Sequence, residues 1–273
     1  MSVSRQIGVS PLWDMRNRIL AAALLTVILS VLTWLVLSPR ESEPVFQGRR
    51  LTDWLEDFDR WDRADTNAPV VLAIRSFGTN AVPMIVRMSL WRDTMSKEML
   101  SLEFEKHPKL MRYRYTIAAQ RWQRAGQALS VMGEAARAAV PYYVQALTNE
   151  DAVTRRIALN ALGSIGPQAE NSIPALLARQ NDVEVLGNLL GALGGIGRRA
   201  DLCVPVLVQA LGNTNAYVRK SAAYALGRFG GQAKAAVPSL TRALEDRQMN
   251  REAAAALKRI QSEDEATTND SHP

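Results

Sequence analysis

The chain has 273 residues, 47% hydrophobic and 22% charged, and carries 33 Lys+Arg against 27 Asp+Glu for a formal charge of +6. Those proportions belong to a folded chain, not a disordered one. A single cysteine, Cys203, excludes a disulfide framework and Cys-rich metal sites, and two widely separated histidines, His107 and His272, exclude most zinc and iron centres and nearly all His-dependent catalysis.

After a short tail (1–18), residues 19–37 read ILAAALLTVILSVLTWLVL without a charge. At about 1.5 Å per residue a helix of this length reaches roughly 28 Å, close to the hydrocarbon thickness of a bilayer. Its hydroxyl residues, Thr26, Ser30 and Thr33, can bond to the helix's own carbonyls. Arg16 and Arg18 precede the run, and Trp34 falls near its far end, where indole rings favour the membrane interface. Ser38 is followed by Pro39, which disfavours cleavage, so 19–38 reads as an uncleaved transmembrane signal anchor. Arg5, Arg16 and Arg18 lie before the run and Arg40, Arg49 and Arg50 after it, and the two arginines closest to it on the N-terminal side favour an inside N-terminus and an exported body. Residues 39–50 read as a linker. Leu51, Trp54, Leu55 and Phe58 then fall at i, i+3, i+4 and i+7, which predicts a capping helix over 51–63. Asp57, Asp59, Asp62 and Asp65 lack the Gly and terminal Glu of a calcium loop and read as a solvated acidic face.

From residue 64 to 261 the chain is organised by a repeat. ALSVMGEAARAAVP, ALGSIGPQAENSIP, ALGGIGRRADLCVP and ALGRFGGQAKAAVP align without gaps and end at Pro141, Pro174, Pro205 and Pro238. A shorter copy, AIRSFGTNAVP, ends at Pro83, and a half-copy, AAALKRI, closes the array at Ile260. In each unit the Ala-Leu pair marks a buried helical stripe. The glycines at 78, 133, 166, 197 and 230 stand where a helix needs a left-handed cap. The proline fits the first turn of the next helix, where a missing N–H is harmless. The small residue between them (Ala136, Ala169, Ala200, Ala233) allows close approach. Each unit is therefore a helical hairpin that buries its apolar face only by stacking. Cys203, in an apolar run before Pro205, reads as a core residue. The run LGNLLGALGGIG lacks the strand and Lys-Ser/Thr of a phosphate loop. Its internal glycines, each costing about 1 kcal/mol against alanine, allow close packing or bending and predict the soft point of the array. The acidic tail, 262–273, reads as disordered.

Between Pro83 and Pro141 the period is broken by an insertion near 93–115. Around its end, Lys106, Lys109, Arg112, Arg114, Arg121 and Arg124 form a basic stretch without an acid, interleaved with Tyr113, Tyr115 and Trp122. Three readings stay open: a solvated helix face with its apolar residues turned inward, a contact with protein or anionic lipid, and a nucleic-acid contact. Counting back from each capping glycine, Gln123, Arg156, Gly187 and Lys220 share one column, and Gln127, Asn160, Gly191 and Tyr224 another. These columns vary in chemistry and fall on the free face of the longer helices. Gln123, Gln127, Arg156, Asn160, Lys220 and Tyr224 are the expected partner-binding stripe, with plain solvent exposure the competing reading.

DAVTRRIALNALGSIG from Asp151 and NAYVRKSAAYALGRFG from Asn215 resemble HEAT repeats, in particular the short bacterial variety associated with phycobilisome lyases. That resemblance implies an all-α, right-handed α-solenoid of five to six helical hairpins. It also implies a ladder in which an arginine, matched here by Arg155 and Arg219, links successive units; Trp122, Leu186 and Asn250 depart from the pattern. EPVFQGRRLTDWLEDF followed by AIRSFGTNAVPMIVRM is similar to the leading segment of exported HEAT-repeat proteins in Verrucomicrobia-type bacteria, which implies a single-pass protein of a bacterial inner membrane. The resulting expectation is a membrane-anchored scaffold binding an unidentified protein partner, without catalysis, metal or cofactor. The alternatives are a lyase-like or other enzyme on the same scaffold, and a basic module for nucleic acid or lipid.

Overall fold

The computed structural model describes residues 43–62, 65–90 and 121–269, with side chains as far as 262, and a few positions of the apolar segment. Among the latter, Ala22, Leu25, Thr26, Leu29 and Ser30 are helical, and Thr26 Oγ1 and Ser30 Oγ donate to Ala22 O (3.0 Å) and Thr26 O (2.7 Å). Residues 1–43 form one compact unit and 44–273 another.

The second unit begins with a hairpin that sequence reading missed: β1 (Val45–Phe46) pairs antiparallel with β2 (Arg49–Arg50). Its two-residue turn puts both Gln47 and Gly48 at positive φ, the geometry that matches strand twist. Residues 45–50 are thus not a linker. Helix α1 (Leu51–Glu56) follows and passes into a 3-10 turn over Asp57–Arg60, so the predicted single helix over 51–63 is shorter and ends at Trp61 in extended backbone. Leu51, Trp54, Leu55 and Phe58 are all buried, as their spacing requires. Trp54 Nε1 donates to Phe46 O (3.2 Å), and Phe46 meets the Phe77 ring edge-on at 6.0 Å, which seats hairpin and helix together on the first repeat.

Helices α2 (Pro69–Phe77) and α3 (Val82–Leu90) make the first pair. The span Pro69–Leu90 has the length and apolarity of a membrane helix, with mean hydropathy 1.4. It is, however, broken by the turn at Gly78 and half-buried against its neighbours, the character of a core hairpin. The array continues with α4 (121–131), α5 (Val140–Ala146), α6 (Ala152–Ile165), α7 (Ile173–Leu177), α8 (Leu186–Ile196), α9 (Ala200–Ala210), α10 (Ala216–Phe229), α11 (Val237–Ala243) and α12 (Asn250–Asn269). The longer helices α6, α8, α10 and α12 pack on one another in chain order, so the architecture is an all-α solenoid.

The five capping glycines all have positive φ. Gly197 is left-handed in both angles, whereas Gly78, Gly166 and Gly230 turn ψ to between −135° and −142° and lead into 3-10 runs. Pro141, Pro174 and Pro238 lie in the first turn of their helices, but Pro205 lies inside α9. That helix starts early, at Ala200, because Arg199 takes the left-handed step (φ 53°) and the 3-10 run is absorbed into it. Helix α12 overturns the disordered tail at its start: the helix runs to Asn269, through residues 261–268 that contain neither Gly nor Pro to interrupt it.

Two glycines of α8, Gly194 and Gly195, prove to be packing devices. A Cβ at Gly194 would lie 2.6 Å from Ala225 Cα, and one at Gly195 would lie 2.5 Å from Gly163 O. Gly163 and Gly227 stand in the same way against Ala192 Cα (3.1 Å) and Ala256 Cα (3.0 Å). The glycine after each Ala-Leu pair therefore faces the alanine of the next pair, and helix backbones approach closely. The expected soft point gives way to a tightly packed centre, with Leu189, Leu190, Leu193 and Ile196 fully buried.

Two arginine rungs join successive units. Arg155 Nε lies 2.8 Å from Asp182 and Nη2 2.6 Å from Glu184; Arg219 Nη2 lies 2.8 Å from Asp246. Each also donates through Nη1 to two carbonyls of its own turn, Asn149 and Glu150 for Arg155, Asn213 and Thr214 for Arg219.

Candidate functional site

Helices α6, α8 and α10 present their free sides as a row of concavities. The first, of about 660 Å³, takes in Gln123, Gln127, Arg156 and Asn160. The second, of about 650 Å³, takes in Asn160, Lys220 and Tyr224, with Gly187 and Gly191 from the same two columns. All six residues of the predicted stripe thus line one of two adjoining hollows, and Asn160 belongs to both. Asn188 Nδ2 donates to Asn160 Oδ1 (3.2 Å), a polar contact at the second hollow. The sequence columns placed these residues because i and i+4 positions share a helical face.

Exposure differs along the stripe. Gln123, Arg156, Asn160 and Tyr224 are exposed, and Lys220 is half-buried. Gln127 is only 8% exposed, and its carboxamide Oε1 is buried without a hydrogen-bond partner among the described residues. Leaving such an acceptor unpaired costs about 1–3 kcal/mol, so folding alone gives no reason for a glutamine here. Arg156 and Lys220 form no ion pair among the described residues.

Column counting missed part of the first hollow. Trp61 after the cap, Val71 and Arg75 on α2, Ser89 on α3 and Trp122 on α4 also line it. The hollow has a structural cause. In the column that is glycine at 163, 194 and 227, the earlier repeats carry Arg75 and Ser130, and both residues are on its wall. Arg75 spans the gap, its Nε donating to Val131 O (3.0 Å). Where the close glycine contact is lost, the helices leave room.

The basic stretch is described only at its end. Lys106, Lys109, Arg112 and Arg114 lie outside the described residues, and Arg121 is exposed. Arg124 does not belong to a free patch: it forms a two-pronged ion pair with Asp59, tying the cap to α4. Asp59, read as solvated, is held by the Arg124 hydrogen bond below its ordinary pKa of 3.8. A lowered pKa stabilises the fold above the ordinary carboxylate range and loses that effect as pH falls through the lowered value. Asp59→Asn should therefore lower the melting temperature at pH 6, and the deficit should shrink as pH falls below the ordinary carboxylate value of 3.8; a deficit that stays constant as the carboxylate is protonated would contradict the pairing.

Cys203 is wholly buried, its Sγ near Arg198 O (3.6 Å), and burial pushes the thiol up to about 11, so it is protonated and unreactive at neutral pH. Among the described residues no three His, Cys, Asp or Glu side chains cluster as metal ligands would.

Residues 173–259 match the family model described as HEAT repeats. No curated protein matches the chain. Among solved structures, two engineered proteins are similar: one is 19% identical with a TM-score of 0.45, covering 78% of this chain and 96% of its own. The other is 18% identical with a TM-score of 0.41, covering 78% of this chain and 99% of its own.

Proposed function

We propose that this chain, with HEAT repeats over residues 173–259, is a membrane-anchored scaffold that binds a protein partner along the free side of its longer helices, without catalysing a reaction. The observation that carries the reading is the coincidence of the six-residue stripe with the two adjoining hollows. Two cations there, Arg156 and Lys220, form no close ion pair among the described residues, and Tyr224 offers an exposed ring; arginine and tyrosine are residue types that anchor interfaces. The uncharged run at 19–38 supports a single-pass anchor, and its flanking arginines support export of the body, as in the exported HEAT-repeat proteins of Verrucomicrobia-type bacteria that the chain resembles. Five to six right-handed hairpins would give the scaffold its length.

A photo-crosslinking side chain at position 224 tests this in cells. Crosslinks to a discrete partner are expected, and Arg156→Glu with Lys220→Glu should abolish them. A crosslinker at Tyr142, exposed on the shorter-helix side, should be indifferent to that change. Crosslinks at 224 that survive the double reversal would refute the groove.

A further inference from the structure

The first hollow matches the second in size, at about 660 Å³ enough to take a side chain and its backbone, but its lining differs from the rest of the groove. Its wall combines two indoles, Trp61 and Trp122, with Val71, Leu129, Val131 and Ile157. Its charged residues, among those described, are Arg75 and Arg156, with no acid. At its edge Gln127 keeps a buried acceptor unsatisfied within the chain. The hollow therefore asks for three things together: an apolar or aromatic body, an anionic group, and an N–H donor.

We infer that this hollow is the anchor point for an acidic peptide segment of the partner. An aromatic or large aliphatic side chain lies between the indoles, a neighbouring Asp or Glu carboxylate meets Arg156, and a peptide N–H donates to Gln127 Oε1. The inference rests on the partner-binding reading above and names the chemistry of the partner. Charge complementarity selects an acidic over a basic segment. The unpaired glutamine gives directional selection, since a buried acceptor rejects whatever cannot donate to it. It also explains why a residue unfavourable for folding stands at position 127.

The test uses the full chain in nonionic detergent and labelled 12-residue peptides with a central Phe flanked by Glu, Gln or Lys, read by fluorescence anisotropy. The Glu-flanked peptide should bind at least tenfold more tightly than the Lys-flanked one. Arg156→Glu should remove that preference. Gln127→Leu should weaken the Glu-flanked peptide about tenfold while raising the melting temperature, a pairing that a purely structural glutamine would not give. Arg242→Glu, on the shorter-helix side, should leave binding unchanged. Equal binding of the Glu- and Lys-flanked peptides, or full affinity in Gln127→Leu, would overturn the assignment. If crosslinks at 224 are nonetheless lost on double reversal, the groove stands and the acidic anchor falls. Acid-selective binding with crosslinks unmoved would have the opposite meaning.

Discussion

Gly194→Ala is expected to destabilise the solenoid although alanine is the better helix former. The added methyl would sit 2.6 Å from Ala225 Cα and 2.8 Å from Ala225 Cβ, so it meets backbone that cannot swing aside. Forcing two packed helices apart costs typically 1–3 kcal/mol, against a gain in helix propensity of about 1 kcal/mol. At this site the overpacking term takes the upper part of its range, because α8 is held between α6 and α10 and relief on one side tightens the other. The net loss is about 2 kcal/mol, roughly 6 °C in melting temperature for a body of this size.

Gly191→Ala, three residues earlier on the same helix, supplies the contrast. A Cβ there meets nothing within 4 Å. Only the propensity gain survives, so this variant should melt higher, by about 3 °C. Thermal unfolding of the two single variants separates the explanations. Opposite signs identify close packing as the reason for the glycine; a rise in both would mean that α8 has room and that its glycines weaken the array.

The glycine column shows what a sequence discloses in a repeat protein and what it withholds. The hairpins were legible because each boundary has a local cause: positive φ at the glycines and a proline that starts the next helix. The stripe was legible because residues counted back from those boundaries share a face. Gly163, Gly194 and Gly227 were visible as a column too, but one strand of text does not show that each faces an alanine of the following unit. The same holds for Arg124 and Asp59, far apart in sequence and joined by the docking of the cap, which draws one residue of the basic stretch into an ion pair. The hairpin at 45–50 escaped because its turn pair is Gln-Gly, where Asn-Gly or Asp-Gly would be the usual signal. The first hollow was half legible: α4 and α6 contribute by column, whereas Trp61 and Arg75 reach it from elements that no period relates to them. Its existence follows from a departure, the loss of glycine at 75 and 130.

Arg155→Met should be the most damaging single change outside the apolar core. Arg155 is 7% exposed and serves four acceptors at once: Asn149 O at 3.0 Å, Glu150 O at 2.7 Å, Asp182 Oδ1 at 3.4 Å and Glu184 at 2.6 Å. Methionine retains the volume and removes every donor, so the Asp182 carboxylate and two turn carbonyls lose their partner together. Truncating one member of a buried pair costs typically 3–5 kcal/mol because the other charge stays desolvated. Asp182 keeps some contact with water and Glu184 keeps more, which sets the expected loss nearer 3 kcal/mol, or roughly 9 °C. The damage should also be local. Leu186 occupies the aligned arginine position of the next unit, so the turn at 179–185 depends on the rung from Arg155 and has no rung of its own to send onward. Amide exchange in that turn should accelerate more than exchange in the turn at 243–249, which Arg219 holds through Asp246 and Gln248. Arg155→Lys separates charge from geometry: an ammonium can neutralise Asp182 but cannot span both carbonyls and both acids. Half of the loss should therefore persist in the lysine variant, and full stability there would mean that the rung is a point charge rather than a fork.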